Sequence, residues 1–235
     1  MRVPTARERN TWEQITRLTG RLRPDMSRAI LRTGQTLRDT EPSDLERLRA
    51  AVNPVRVQLL LALMAGGQYA LRALPGRLTF NVLDAAVAPA LYALDQRVTS
   101  TLVVMRGGLS PQDVADVERF AQRGYGVRAV TAYRNRRITS RAETLARTAT
   151  LNAFKQGQQL AAGQALREGF FWRGPLMKTW VNMGDARVRD EHSDRGGMGG
   201  QTVEWDRPYS NGEMIPGELT WNCRCVSHFS TVSNL

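Results

Sequence analysis

Up to Glu168 the chain is patterned for helices, and from Gly169 onwards for strands and turns. In the first part apolar residues recur at three- and four-residue spacing, as helices with one buried face require. Asn10 and Thr11 read as the cap of a short helix carrying Trp12, Ile15 and Leu18. Pro24-Asp25 opens another, with Met26, Ala29, Ile30, Thr33 and Leu37 on one face and Arg28, Arg32 and Arg38 on the other. Ser43 or Asp44 caps a third, kinked or restarted at Asn53-Pro54 and continuing through Leu59, Leu60, Leu63 and Met64 to Gly66-Gly67. Residues 78–105 are apolar on several sides with Pro89 inside, which predicts a central core helix pair or one kinked helix.

Gly107-Gly108 reads as a hinge. Ser110-Pro111 then starts a helix, as a cap followed by proline in the first turn, with Val114, Val117, Phe120 and Ala121 on its apolar face. A long helix over 139–168 follows. Beyond it come Phe170, Phe171 and Trp172, the run Lys178-Thr179-Trp180-Val181, crowded glycines over 196–200, and turn signals at Asn211-Gly212 and Pro216-Gly217. Residues 225–232 alternate like a strand, and a short helix is expected over 185–193. The fold class is therefore α+β: a mainly helical N-terminal two-thirds, then a small β-rich module packed on a long helix. The division expected is a helical region over 1–107 and a second unit over 108–235, with helices in 110–168 and the β-rich module in 169–232.

The chain has 235 residues, 33 basic against 22 acidic, and a net charge of +11. Only Lys155 and Lys178 are lysine, and every other basic residue is arginine. GC-rich coding explains a preference for arginine over lysine but not the net charge. Arginine binds phosphate or carboxylate bidentately, so a basic surface points to nucleic acid or an acidic protein partner. The densest cluster is Arg134, Arg136, Arg137 and Arg141, which repel one another unless something answers them. With Arg28 and Arg32 they are the candidate contacts to nucleic acid or an acidic partner. There is no apolar secretory segment at the start, and the most apolar run, Leu59 to Ala65, is shorter than the roughly 20 residues a bilayer needs, so no membrane partner is expected.

The last fifty residues hold both histidines and both cysteines. Cys223 and Cys225, one residue apart on an extended strand, share a face. A disulfide closing so small a ring would be strained, so free thiols are expected. On a helix over 185–193, Asp185, Arg189 and His192 would fall on one face, with Asp185–Arg189 as an ion pair. His192 could meet the two cysteines, and His228 or Asp185 would complete four ligands for a structural Zn2+. A β module with little core would gain stability from such a staple. The other reading is that both thiols are small buried apolar groups and His192 bonds the backbone of the Asn222 turn. Trp180, Trp205 and Trp221 read as core and loop anchors.

Taken in order, these features resemble one family. Ala146-Arg147-Thr148-Ala149-Thr150 and Asn152 are followed by Lys178-Thr179-Trp180, then Asp185-Ala186-Arg187-Val188-Arg189 and His192, Gly196-Gly197, Tyr209, Pro216-Gly217 and Asn222-Cys223-Arg224-Cys225. Over roughly 108–230 the chain resembles the phage Mu F-like head-morphogenesis (minor head protein) domain of tailed bacteriophages. Trp180, Asp185, Arg187, Arg189, Asn222 and Arg224 are its motif residues here. Ala149 stands where the family commonly has glutamate, so any role of that acid is in doubt in this chain. The resemblance implies a structural, non-enzymatic minor capsid protein of the virion. It implies partnership with the portal protein and with major capsid or scaffold proteins, and a place at the portal vertex and capsid interior. It also implies assembly in the bacterial host cytoplasm and a part in handling the packaged double-stranded DNA. Two other readings stand beside it: an HNH-like metal-dependent nuclease, which a chain with two histidines and no Asp-His or His-His pair supplies poorly, and a basic DNA-binding adaptor.

Overall fold

A computed structural model describes residues 5–39, 45–72, 78–104, 109–169, 174–182, 188–193, 197–218, 220 and 223–231. Five helices precede three short strands: α1 (Ala6–Arg38), α2 (Leu45–Arg72), α3 (Val87–Val104), α4 (Pro111–Gln122), α5 (Val127–Arg167), β1 (Leu176–Val181), β2 (Thr202–Glu204) and β3 (Val226–Thr231). The α+β class, helices first and a small sheet last, is as the sequence predicts.

α1 is one helix rather than two. It starts at a capping box: Glu8 N–H donates to Thr5 Oγ1 at 3.2 Å, and Thr5 N–H donates to Glu8 Oε2 at 2.6 Å. That cap lies a turn before the Asn10-Thr11 expected from the sequence. The helix runs through Pro24, although an interior proline costs about 3 kcal/mol. The reason is long-range. Ile15, Thr19, Met26, Ile30, Thr33 and Leu37 form one unbroken buried seam against the rest of the molecule. Pro24 and Gly20, whose carbonyl the proline ring crowds, both face solvent, where that carbonyl can tilt outward. α2 likewise continues through Pro54, and Thr33 Oγ1 donates to the Ala51 carbonyl at 2.7 Å, tying the two helices. Ala50–Arg72 of α2, longer than the Leu59–Ala65 run, has the length and mean hydropathy (1.3) of a membrane span. Here Val55, Leu59, Ala62 and Leu63 on its inner face are buried in the core.

The central helix is α5, not the 78–105 segment. Residues 78–86 are irregular, and α3 begins only at Val87, with Tyr92 exposed. Gln164 on α5 holds the irregular stretch by accepting from Asn81 N–H at 2.9 Å and donating to the Thr79 carbonyl at 3.0 Å. α5 also begins earlier than expected, at Val127. It crosses α2 almost backbone to backbone: a methyl group placed on Gly157 or Gly66 would collide with the Leu63 or Phe154 carbonyl oxygen. The main core joins Met26 and Ile30 of α1, Leu59 and Leu63 of α2, and Leu145, Ala146 and Ala149 of α5, so it runs across the 107/108 boundary.

The sheet has order β2-β1-β3, all antiparallel, with Val181 opposite Val226 and Thr179 opposite His228. One face, through Val181 and Val226, packs on Ile15 of α1 and on Leu151 and Phe154 of α5. The other carries Trp180 toward Tyr209, Cys223 and Cys225. This second face is where the chemistry collects.

Candidate functional site

Trp180 projects from the central strand and is the fully buried post of the site. Its ring meets His192 and Tyr209 edge-on, each at a centroid distance of 5.0 Å. His192 ends a single 3-10 turn, Asp190–His192. Over the described residues 188–193 the expected helix is not formed: Arg189 is extended (φ −67°, ψ 152°) and only caps this turn, so Arg189 and His192 do not share a helix face. Asp185 and Arg187 themselves lie outside the described residues, as does Asn222. Two contacts hold the turn in place. Asn182 Nδ2 donates to the His192 carbonyl at 2.8 Å, and Gly197 packs where a side chain would strike the Asp190 and Glu191 carbonyls.

Cys223 and Cys225 are free thiols, both turned to the His192 ring. Cys223 Sγ lies 3.5 Å and Cys225 Sγ 3.9 Å from His192 Nδ1, and all three ligand atoms lie within 4.8 Å of one another. The close approach of Cys223 is possible because Gly217 (φ +77°) has no side chain to meet it. Exposure is 3% for His192, 6% for Cys223 and 4% for Cys225, so the cluster is sealed. The other histidine is elsewhere. His228 lies on the helix-facing side of β3, its Nδ1 3.0 Å from Thr11 Oγ1 of α1, so it does not serve as the fourth ligand.

Sequence reasoning missed the charged floor of this site. Lys155, buried on α5, donates from Nζ to the carbonyls of Pro216 and, at 3.1 Å, Cys225. One turn earlier, Asn152 Nδ2 donates to the Gly217 carbonyl at 3.2 Å. Glu213, also buried, accepts from Gly217 N–H at 2.9 Å. Lys178, buried on β1, donates to the Met214 carbonyl at 2.8 Å. The signal was present: these are the only two lysines of an arginine-rich chain, and both are buried with a compact ammonium on backbone carbonyls, two for Lys155 and one for Lys178. Trp12 of α1 closes the rim, its Nε1 donating to the Arg224 carbonyl at 3.1 Å.

The electrostatics follow from burial and proximity. The two thiols share a single easily lost proton. A hydrogen bond from Cys225, then His192 and the Lys155 ammonium, pull Cys223 well below the ordinary thiol range. Cys225 is pushed up, first by its hydrogen bond with Cys223, then by burial, and then because it would ionise beside a neighbour that already carries the charge. The hydrogen bond with Cys223 raises His192. Burial pulls the Lys155 ammonium down, while the two thiols and Glu213 push back. Burial lowers Lys178 to about 8.

The basic candidates lie apart from this centre. Arg137 pairs with Asp116 and, at 3.3 Å, with Asp113, and Arg141 pairs with Asp113 at 3.0 Å. The mutual repulsion in the Arg134–Arg141 cluster is thus answered from α4. Burial opposes ionising Asp113, but the Ser110 hydroxyl and N–H and the two guanidiniums outweigh it and hold the carboxyl below the ordinary range. Arg134 and Arg136 are exposed on α5, and Arg28 and Arg32 on α1, where Arg28 pairs with Asp25. A shallow groove between α1 and α2 is lined by Arg17, Arg21 and Arg72, which the sequence reading had not singled out.

Residues 114–228, which run from within α4 to within β3 and take in α5 and the site, match the family described as phage Mu protein F like protein. The likeness to the phage Mu F-like family covers 114–228, a little under half of the chain. No curated protein and no solved structure matches the chain. The matched region takes in Trp180, His192 and both cysteines, whereas α1, α2 and α3 lie outside it and still supply most of the main core among the described residues.

Proposed function

We propose that this protein is a structural minor head protein of a tailed bacteriophage, held at the portal vertex on the capsid interior, where it touches packaged DNA without reading its sequence. The observation that carries the reading is the Mu F-like match over 114–228, a family of phage head morphogenesis. Two features support the finer statement. Exposed Arg123, Arg128, Arg134 and Arg136 line the arm made by α4 and the outer part of α5, and Arg17, Arg21 and Arg72 line the α1–α2 groove. A basic surface of this kind neutralises phosphate and releases counterions, so its binding is sequence-independent and weakens steeply with salt.

A structural role also suits the sealed cluster. A nuclease needs its histidine at a surface that phosphate can reach, and the His192 ring lies behind Trp180 and the two thiols.

The test is assembly. Heads assembled in the host from the portal, scaffold and major capsid proteins together with this chain are expected to carry it in far fewer copies than the major capsid protein. It should be protected from external protease. Shells made without portal should lack it. Equal amounts in portal-less shells, or full protease sensitivity in intact heads, would overturn the assignment to the portal vertex and the interior.

A further inference from the structure

We propose that His192, Cys223 and Cys225 bind one zinc ion, and that this ion is the staple of the C-terminal module. Zn–S bonds of about 2.3 Å and Zn–N bonds of about 2.0 Å at the tetrahedral angle put a nitrogen and a sulfur ligand ~3.5 Å apart. The two sulfurs lie 3.5 and 3.9 Å from His192 Nδ1, close to that spacing. The donors are two thiols and an imidazole, a set that selects zinc over magnesium or calcium, which demand oxygen.

The surroundings are those of a structural site. The His192 ring is braced edge-on by Trp180, and the Glu191 carboxylate stands 4.0 Å from Nε2, on the ring nitrogen that the metal leaves free. The Lys155 Nζ, donating to the Cys225 carbonyl at 3.1 Å, fixes the backbone that carries the two sulfurs. The two arms of the site come from distant segments: the 3-10 turn Asp190–His192, and the irregular residues 223–225 that lead into β3. A metal joining them closes the whole 192–223 excursion onto the sheet. That excursion contains only β2 as regular structure among the described residues, so it has few ladder bonds of its own. The proposal does not depend on the head-assembly reading.

The experiment uses the full chain without a histidine tag, expressed with zinc supplied and purified under reducing conditions. Elemental analysis is expected to find about one zinc per chain. Cys223→Ser and Cys225→Ser should each lose at least nine-tenths of it. His228→Ala, whose ring faces α1, should keep it. Because the serine variants could fail to fold, the wild-type chain is also stripped of metal and titrated with cobalt. Thiolate-to-cobalt charge-transfer and tetrahedral ligand-field bands should grow to one equivalent and vanish when zinc is added. A folded wild-type chain that carries no zinc and gives no cobalt bands would overturn the proposal, and so would an equivalent of metal retained in the Cys223→Ser/Cys225→Ser double variant.

Discussion

α5 has two halves that share a backbone and little else. Over 127–141 it is mostly exposed, and Val127 at its start is 84% exposed. The stretch 109–141 that includes it holds seven arginines against three acids. Among the described residues it is braced there by α4, through Phe120 stacked between Tyr125 and Tyr133 at 4.3 and 4.5 Å and through Asp113 and Asp116 gripping Arg137 and Arg141. Over 142–165 nearly every residue is buried, and the composition turns to Ala, Thr, Gly and Gln. Small residues let α2 cross at backbone distance, while Asn152, Lys155, Gln159 and Gln164 reach out of the same stretch to carbonyls of the segments packed on it. The lesson is that polar residues on a helix have opposite meanings in the two halves. Outside they are charge offered to a partner, and inside they are the hydrogen bonds that fasten irregular chain to the core.

The sharpest way to break this contrast is at the helix crossing. Gly157→Ala is expected to cost about 3 kcal/mol, because the added methyl must push two backbones apart. Val127→Ala on the outer half should stay within ~0.5 kcal/mol. Denaturant midpoints measure both, and comparable losses would sink the two-halves picture.

Next in size is Lys155→Met. It leaves the Pro216 and Cys225 carbonyls without their buried donor, and about 2 kcal/mol should be lost. The loss should show first in the near-ultraviolet circular dichroism of buried Trp180. A variant with full stability and an unchanged aromatic signal would show that the inner polar residues are not fasteners.

A smaller effect is expected at Asp113, the hub of the outer half. Asp113→Asn should loosen α4 by about 1 kcal/mol, through the Ser110 cap and the two guanidiniums together. The sign with pH follows from a depressed carboxyl. Its contribution is complete above the ordinary carboxylate value of about 3.9 and fades as pH falls below that, through its own lower value. Protection of the α4 amides, taken relative to their intrinsic exchange rates at each pH, should therefore fall below about pH 4 in the native chain, with a weaker response in the asparagine variant. An identical acid response in both would remove Asp113 as the hub.

The smallest effect on stability belongs to Arg134→Glu/Arg136→Glu, which should leave the melting temperature unchanged. The same pair should lower duplex-DNA affinity and flatten its log–log salt dependence by about 0.9 for each phosphate contact removed, read by fluorescence anisotropy. An unaltered slope would assign the arm to an acidic protein surface instead.

What could be read from the sequence was whatever lies within a few residues of itself. Ser110-Pro111 with Asp113 starts α4 as written, because capping is local chemistry. The α+β order, the strand over 226–231 and the convergence of His192 with Cys223 and Cys225 were likewise legible from spacing and composition. Where two distant segments must agree, local signals misled. Pro24 reads as a helix start, yet the seam from Ile15 to Leu37 carries α1 through it. The sequence reads as a helix up to His192, yet among the described residues Arg189 is extended, and Asn182 and Gly197 hold the 3-10 turn that follows it. His228 reads as a possible ligand, yet the pairing of β3 with β1 turns it to Thr11.

The sequence by itself determined the class of the fold, the likeness of its second half to a known family and the candidate trio of His192, Cys223 and Cys225, since each rests on residue type and short spacing. Only the tertiary structure decided that α5 is the axis, that Lys155 is the buried floor of the site, and which arginines are committed to Asp113 and Asp116. Those outcomes depend on contacts such as Gly66 with Phe154 or Lys155 with Cys225. Burial is a property of the assembled faces, and no single stretch of chain carries it.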